Sequence, residues 1–215
     1  MTSRNSSRGS VIAVLLVAIV ASLGFQRLAS ASPTAKSETA VFAGGCFWGI
    51  QAVFQHTKGV TSAVSGYAGG WTDKPSYEMV SSGTTGHAES VRVTYDPAQV
   101  SYSTLLKTFF AVAHDPTQLN RQGPDVGTQY RSAIFFMTPE QKQEAAAYIE
   151  QMDKAHVYGK PIVTQVVAYK AFFPAEDYHQ DYARHNPSQP YIAFHAIPKA
   201  CKVREKHASL MRPEA

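Results

Sequence analysis

An apolar strand that runs into two adjacent glycines and then into a helix is the feature that most constrains the fold of this chain. Residues 39–43 form a brief apolar run, which Gly44 and Gly45 break. From Cys46 to His56 apolar side chains recur every three or four positions, which is the period of a helix. The apolar positions are Phe47, Ile50, Val53 and Phe54. This pattern predicts a strand–turn–helix unit in which Cys46 starts the helix.

The same strand and helix periods recur along the rest of the chain. Further strands are predicted at 60–67, 90–95, 132–137 and 162–169, with helices over 102–113, from 139 onward and in two C-terminal stretches. Polar loops fill 71–87 and 114–130. The order β-α-β followed by β-α-β predicts an α+β fold, a ferredoxin-like split βαβ two-layer core with an added strand and helices. Residues 39–215 are expected to form a single domain.

The first 31 residues have the layout of a secretory signal peptide. Arg4 and Arg8 precede an apolar run from Val11 to about Gly24, and a small-residue cleavage site ends at Ala31. Because that run is shorter than the roughly 20 residues of a comfortable membrane span, cleavage is favoured over an uncleaved anchor. Either outcome predicts an exported protein of the periplasm or cell envelope. The protein would be membrane-bound only if the leader stayed as an uncleaved anchor. Residues 32–38 are predicted to be a polar linker.

The charge of the chain gives little support for a nucleic-acid partner. The sequence has 20 basic and 16 acidic residues, a formal net charge of +4. Arg4, Arg8 and Arg27 belong to the leader, which carries no acidic residue, so the remainder holds 17 basic against 16 acidic side chains. A net charge of +1 does not indicate nucleic-acid binding.

Two cysteines, Cys46 and Cys201, leave two interpretations open. In an exported chain, a pair of cysteines typically forms a structural disulfide, which would make this a non-catalytic domain. Alternatively, the helix start favours a Cys46 thiolate, and the glycines before it allow a substrate close approach. The adjacent Phe47 and Trp48 would then supply an apolar contact surface.

The segment from Gly86 to Glu89 leads into a predicted strand and offers an acid. A carboxyl against apolar walls has a raised pKa and can act as a general acid, although a solvated strand-edge Glu89 is the plainer alternative. His87-x-Glu89 also resembles the zinc deaminase pattern, but the Pro-Cys-x-x-Cys that those enzymes require is missing, so we predict no metal. A Cys–His hydrolase that pairs Cys46 with His179 or His87 is a further alternative.

Two tyrosines and an aspartate stand in the polar loops. Tyr77 and Tyr130 can donate hydrogen bonds to a polar oxygen while their rings pack against apolar groups. Asp125 lies within Gly-Pro-Asp-Val-Gly, a segment whose residues are typical of a turn, so it can be simply a turn residue.

Taken together, these segments resemble the methionine sulfoxide reductase A family. The resemblance covers roughly residues 39–190, and its blocks come in the family's order. The matching blocks are Gly44-Gly45-Cys46-Phe47-Trp48-Gly49, Gly66-Tyr67-Ala68-Gly69-Gly70, Tyr77-Glu78, Gly86-His87-Ala88-Glu89, residues 125–132 (Asp-Val-Gly-Thr-Gln-Tyr-Arg-Ser) and residues 173–182 (Phe-Pro-Ala-Glu-Asp-Tyr-His-Gln-Asp-Tyr).

The resemblance implies a role for each site residue. Cys46 attacks the sulfoxide sulfur and Glu89 protonates the departing oxygen, to which Tyr77 and Tyr130 donate hydrogen bonds. Asp125 supports the site through hydrogen bonds. An acid with two hydroxyl donors fits this chemistry, because charge builds on the oxygen as the thiolate attacks. The product at Cys46 is a sulfenic acid, which another thiol must reduce.

The resemblance also implies the substrate and the partners. Phe47 and Trp48 hold the methyl group of the S epimer of methionine sulfoxide, free or within oxidised proteins, and Gly86, His87 and His179 belong to the same substrate site. No cofactor or metal is expected, the external reductant is a thioredoxin-like protein, and the chain is expected to be a monomer.

The sequence departs from the commoner family form at two places. Gln51 stands where many members have Glu, and we assign it no catalytic role. Many members have a resolving cysteine where this chain reads Pro190-Tyr191-Ile192. Cys201 is the remaining candidate for resolving thiol, because thiol exchange depends on access. The alternative is direct reduction of Cys46 by an external thiol.

Overall fold

The protein, examined as a computed structural model that describes residues 37–206 and 208–210, is built on a six-stranded sheet flanked by helices. The sheet strands are β1 (Glu38–Gly44), β2 (Val60–Ala68), β3 (Ala88–Tyr95), β6 (Ser132–Phe136), β7 (Gln165–Ala168) and β8 (Phe172–Pro174), and a small hairpin pairs β4 (Arg121–Gln122) with β5 (Asp125–Val126). The α-helices are α1 (Phe47–Gln55), α2 (Tyr77–Ser81), α3 (Tyr102–Thr108), α4 (Pro139–Lys154), α5 (Tyr182–His185) and α6 (Ile197–Lys206). The predicted signal peptide and residues 32–36 of the predicted linker lie outside the described residues.

The sheet is mixed, and its strand order is β7-β6-β1-β3-β2-β8. Five neighbouring strands pair antiparallel, whereas β7 runs parallel to β6. β3 lies between β1 and β2, the two strands that α1 connects. The α+β class predicted from the sequence is therefore confirmed.

The central strand β1 is buried on both faces. Phe42 stacks on Phe54 of α1 and on Phe109, with ring centroids 5.1 and 4.9 Å away. Val41 faces the other side of the sheet and packs with Phe135 and Phe172. Because burial of one such side chain contributes about 1.5–3 kcal/mol, these contacts hold α1 firmly against the sheet. The residue that precedes α1 is thereby held in place.

Several short elements were not predicted from the sequence. The predicted loop 71–87 contains α2, for which Ser76 is the N-cap, and the predicted loop 114–130 contains the β4–β5 hairpin and a 3₁₀ turn, Thr128–Tyr130. Beyond α3 the helix widens into a π-helix over Phe109–Ala113, and a second π-helix, Ile192–Ala196, leads into α6. π-Helical turns occur frequently at functional sites.

The edge strand β8 directs the following segment toward the start of α1. It pairs with the end of β2, and a 3₁₀ turn over Asp177–His179 follows it. By internal contacts, the described residues belong to one compact unit. Within the described residues, no helix has the length and apolar character needed to cross a membrane.

Candidate active site

The turn between β1 and α1 places Cys46 at the N-cap of α1, as the sequence pattern predicts. Gly45 has φ +98°, a conformation that favours glycine, and a Cβ there would lie 2.5 Å from Cγ of Gln122. Any larger residue at this position would push the hairpin loop away. The turn therefore depends on glycine to present Cys46 at the helix start.

A cavity of about 210 Å³ opens beside Cys46. It is lined by the five residues predicted to be catalytic, by both predicted apolar contacts and by two further side chains: Cys46, Glu89, Tyr77, Tyr130, Asp125, Phe47, Trp48, Gln189 and Tyr191. These residues come from the β1–α1 turn and the start of α1, from β3, from the start of α2, from β5 and the 3₁₀ turn after it, and from the segment that leads into the second π-helix. The fold thus brings distant parts of the chain to one small space.

Burial dominates the state of the Cys46 thiol. Its side chain is 9% exposed, and burial and the nearby Glu89 raise the pKa of the thiol well above the ordinary value. The backbone N–H of Trp48 and the hydroxyl of Tyr191 oppose this rise. The helix start was expected to favour a thiolate, but desolvation outweighs the N–H group. In the resting protein Cys46 is therefore a neutral thiol.

Glu89 is the buried acid of the site. It is 2% exposed, and its Oε2 accepts a hydrogen bond of 3.0 Å from the backbone N–H of Phe47. Burial raises the pKa of Glu89 to about 8, and Asp125 adds to the rise, although the Phe47 hydrogen bond opposes it. Glu89 consequently holds its proton at neutral pH and is positioned to donate it into the cavity.

Tyr77 and Tyr130 reach the same cavity as neutral hydroxyls. Burial, reinforced by the nearby Glu89, raises the pKa of both phenols above the ordinary value. The backbone N–H of Tyr77 donates a 2.9 Å hydrogen bond to Glu176, which also accepts the hydroxyl of Tyr67 at 2.8 Å. Glu176 thereby fixes the start of α2 against β2, a role that no local sequence pattern indicated.

His179 lies behind the apolar wall of the cavity. Its Nδ1 accepts the indole N–H of Trp48 at 3.1 Å, and its ring packs on Phe47 and Tyr77 with centroids 5.1 and 4.4 Å away. Burial lowers its pKa, and the nearby Glu176 only partly offsets this. As a neutral imidazole bonded to Trp48, His179 orients the indole and is not directed at the Cys46 sulfur.

Gly86 and His87 lie outside the cavity lining. The ring nitrogens of His87 bond the backbone N–H of Gly70 at 3.1 Å and the carbonyl of Thr72 at 2.8 Å. Gly86, with φ +71°, packs against the Trp71 ring, where a Cβ would lie 2.2 Å from the nearest ring carbon. Their substrate-binding role stays a prediction. A Cys–His hydrolase pair gains no support, because neither His87 nor His179 is bonded to Cys46.

Cys201 lines a different cavity. That space, about 790 Å³, lies beside the C-terminal half of α1, whereas Cys46 precedes the first residue of the helix. Both cysteines are free thiols, Cys46 buried and Cys201 exposed. The two cysteines therefore do not share a cavity in this structure.

Gln189 and Tyr191 are site residues that the sequence did not reveal. The Tyr191 hydroxyl donates a short hydrogen bond to Asp125, lines the same cavity as Cys46 and interacts with the Cys46 thiol. The signal that could have found them is their place in the segment where relatives carry the resolving cysteine.

Within residues 37–206 and 208–210, no cluster of three or more His, Cys, Asp or Glu side chains could hold a metal ion.

Sequence comparison assigns this site to a known family. The profile of the family described as peptide methionine sulfoxide reductase matches residues 38–211. Peptide methionine sulfoxide reductase MsrA 2 of Mesorhizobium japonicum is 58% identical over 174 residues, 81% of this chain and 89% of that protein. A protein of the same name from Synechocystis sp. is 52% identical over 185 residues, 86% of each chain.

Solved structures agree with this assignment. Methionine sulfoxide reductase A of Corynebacterium diphtheriae has a TM-score of 0.64 at 37% identity, covering 74% of this chain and 78% of its own. Mxr1 from Saccharomyces cerevisiae in reduced form has a TM-score of 0.66 at 35% identity, covering 73% and 89%. The chain therefore belongs to the peptide methionine sulfoxide reductase family, in its A type, and is an oxidoreductase.

Proposed function

We propose that the protein reduces the S epimer of methionine sulfoxide, within proteins or free, by attack of Cys46 on the substrate sulfur with Glu89 as the acid. The observation that carries the proposal is the protonated Glu89 carboxyl, which shares a small cavity with the Cys46 thiol. A buried acid with a pKa of about 8 can deliver a proton at neutral pH, and the sulfoxide oxygen needs that proton as its bond to sulfur weakens.

The hydroxyls of Tyr77 and Tyr130 complete the oxygen-binding side of the cavity. Because burial keeps both phenols protonated, each can donate a hydrogen bond to the developing charge on the oxygen. The oxygen then passes to Cys46, which becomes a sulfenic acid as methionine leaves. Asp125 supports the site through its hydrogen bond with Tyr191.

Phe47 and Trp48 form the apolar wall that holds the methyl group of the substrate. The hydrogen bond from the Trp48 indole to His179 and the stacking of Trp48 on Tyr182, with centroids 4.0 Å apart, fix the orientation of this wall. The cavity of about 210 Å³ is smaller than pockets for drug-sized ligands, so it fits the end of one side chain. The rest of a protein substrate stays outside.

For the second half of the cycle, we infer that an external thiol reduces the Cys46 sulfenic acid directly. The separate cavity of Cys201 supports this route, because Cys201 does not line the cavity in which the Cys46 sulfenic acid forms. By family resemblance the external thiol belongs to a thioredoxin-like protein. With a signal peptide at residues 1–31, that donor and the oxidised proteins under repair belong to the cell envelope, and the enzyme works as a monomer without a cofactor.

We also infer that the scaffold is a ferredoxin-like split βαβ core. The antiparallel order β6-β1-β3-β2, with α1 between β1 and β2 and α3 between β3 and β6, supports this interpretation. β7 and β8 then count as added edge strands.

The catalytic part of the proposal is tested with separated S and R epimers of a methionine sulfoxide peptide and dithiothreitol as the reductant. The unaltered protein should convert the S epimer alone, and Cys46→Ser should abolish turnover. Cys201→Ser is the matched control and should retain turnover, because dithiothreitol replaces any resolving thiol. Turnover by Cys46→Ser at the normal rate would overturn the mechanism.

The recycling route is tested by mass spectrometry after one turnover without reductant. Direct reduction predicts an adduct of dimedone, a sulfenic acid trap, on Cys46 and a free thiol on Cys201. A peptide pair joining Cys46 to Cys201, with the loss of two hydrogens, would overturn the direct route and assign Cys201 as the resolving cysteine.

A further inference from the structure

In the proposed reaction, the proton of the Cys46 thiol still needs an acceptor. Glu89 already holds a proton and must give it to the sulfoxide oxygen, so it cannot also accept the proton of the Cys46 thiol. The resting thiol is neutral because burial raises its pKa. Attack on sulfur nevertheless requires the S–H bond to break, and a second group in the cavity has to take that proton.

Tyr191 and Asp125 form a hydrogen-bonded path away from the Cys46 sulfur. The Tyr191 hydroxyl lies in the same small cavity as that sulfur, interacts with it, and donates its own proton to Oδ2 of Asp125. A phenol has one proton. Since Tyr191 gives it to Asp125, its oxygen is free to accept from the Cys46 S–H group. The three groups are therefore aligned as thiol, hydroxyl and carboxylate.

We propose that Tyr191 relays the Cys46 thiol proton to Asp125 as the thiol attacks the substrate, so that Asp125 is the proton acceptor of the reaction and Glu89 the donor. This inference rests on the proposed reductase function and extends it. None of the motif blocks includes Tyr191.

The relay balances the first half of the reaction. The Cys46 S–H bond breaks as a bond forms between its sulfur and the substrate sulfur, while Glu89 protonates the substrate oxygen. The thiol proton goes to the Tyr191 oxygen, and the original Tyr191 proton goes to Asp125. The oxygen then moves as hydroxyl to Cys46, which is oxidised by two electrons, and methionine departs with its sulfur reduced by two. Solvent returns the proton from Asp125 to Glu89.

The surroundings of Tyr191 favour a concerted transfer. Burial, with Cys46 and Asp125 beside it, raises the pKa of the Tyr191 phenol far above its ordinary value, so an ionised tyrosine is not formed. The ring is held edge-on to Trp48, with centroids 6.0 Å apart. Lys199 of α6 is partly buried and interacts electrostatically with Cys46 and Asp125, so its charge favours the anionic form of each group.

The test compares Tyr191→Phe, Asp125→Asn and the double variant in single-turnover reduction of the S epimer, followed as methionine formed. Each single variant should be about 10-fold to 100-fold slower, on the scale of general acid–base effects. The double variant should be no slower than the slower single variant, because the two groups act in series. Tyr169→Phe, whose ring packs on the opposite face of the sheet, is the matched control and should keep the normal rate.

Two readouts separate a relay from structural damage. The proton inventory in mixtures of light and heavy water should be curved in the unaltered protein and linear in both single variants. Alkylation of Cys46 by iodoacetamide without substrate should be as fast or faster in Asp125→Asn, because that change removes a negative charge that raises the pKa of the thiol.

Asp125→Asn reducing the sulfoxide within threefold of the normal rate would overturn the relay, as would a double variant slowed by the product of the two single effects. Slower alkylation together with slower reduction in Asp125→Asn would overturn it in favour of a structural role. Failure of the unaltered protein to form methionine would instead refute the proposed function.

Discussion

Two carboxyl groups at the active site have different surroundings and therefore different roles. Glu89 is buried and accepts one backbone N–H bond, and its pKa is raised to about 8. Asp125 lies at the partly exposed rim and accepts the Tyr191 hydroxyl. When the environments of two acids differ in this way, one is suited to donate a proton and the other to accept one.

Glu89 should set the alkaline limit of the reaction. The protonated form is the active one, so single-turnover reduction should fall as the pH rises through about 8, where Glu89 ionises. Glu89→Gln keeps an acceptor for the Phe47 N–H but has no acidic proton, and should reduce the rate by about 10²-fold or more. A pH–rate profile measures both effects. An alkaline limb near pH 8 that persists in Glu89→Gln would assign the titration to another group.

The same burial should cost the protein stability. The folded carboxyl has a pKa of about 8 against an ordinary 4.5, so the folded state binds the proton more tightly, and stability falls as the pH rises between these values. Glu89→Gln, which cannot ionise, should gain on the order of 4 kcal/mol relative to the unaltered protein at pH 8 and almost nothing at pH 4.5. Urea unfolding at both pH values measures this, with the exposed Glu144→Gln as control. Equal gains at both pH values would contradict it.

Residues within contiguous motifs could be predicted, and isolated ones could not. Cys46 and Glu89 stand in short blocks whose glycines and neighbours indicate a turn and a strand end. The sequence did not assign a role to Tyr191, which lies outside the motif blocks, or to Glu176, which lies within one, because their roles depend on contacts across 66 residues to Asp125 and 109 residues to Tyr67. The state of the Cys46 thiol was also predicted wrongly, since the sequence shows the helix start but not the depth of burial.

At the level of elements, the β1–α1 turn sets the position of the reactive thiol. β1 is fixed by two neighbouring strands, and α1 is fixed by Phe54 stacked on Phe42. The turn between them consists of Gly45 and Cys46. A displacement of this turn would move Cys46 relative to Glu89, because Glu89 is bonded to the first N–H of α1.

Replacement of Gly45 by Ala should therefore impair both stability and activity. Its φ of +98° and the 2.5 Å approach to Gln122 predict a loss of about 1–3 kcal/mol and a slower single turnover. Gly123→Ala is the matched control, because φ is +57° there but nothing lies within 4 Å of an added Cβ. Thermal unfolding and methionine release measure the two effects. Equal losses in both variants would show that the approach to Gln122 is unimportant.

Long periodic elements were predictable, whereas short paired ones were not. The predicted start of α4 is confirmed, since Thr138 accepts the Gln141 N–H and Pro139 is the first helical residue. The Gln141 side chain accepts the N–H of Met137. β8 has three residues, and its pairing with β2 is a long-range contact that no local period encodes.

At the scale of the whole molecule, the net charge of the chain depends on whether the predicted leader is present. The positive net charge of the chain comes mainly from three arginines of the predicted leader, and the remainder is close to neutral. An enzyme that repairs many different oxidised proteins gains little from a strong surface charge, which would exclude substrates of the same sign. The small cavity agrees with this, because it can recognise the side-chain end alone.

Export is a prediction about the whole chain, because the leader determines where the entire protein is located. The basic residues, short apolar run and Ala-Ser-Ala segment predict that a Gram-negative host secretes the protein and cleaves it after Ala31. Intact-mass measurement of the periplasmic fraction should give a chain that starts at Ser32, and a variant lacking residues 2–31 should stay in the cytoplasm with the same specific activity. Since the apolar run is shorter than the roughly 20 residues of a membrane span, the leader should be removed and should not stay as an anchor. The protein should therefore be absent from membranes. Full-length protein in the membrane fraction would assign the leader as an anchor, and full-length protein in the cytoplasm would refute export.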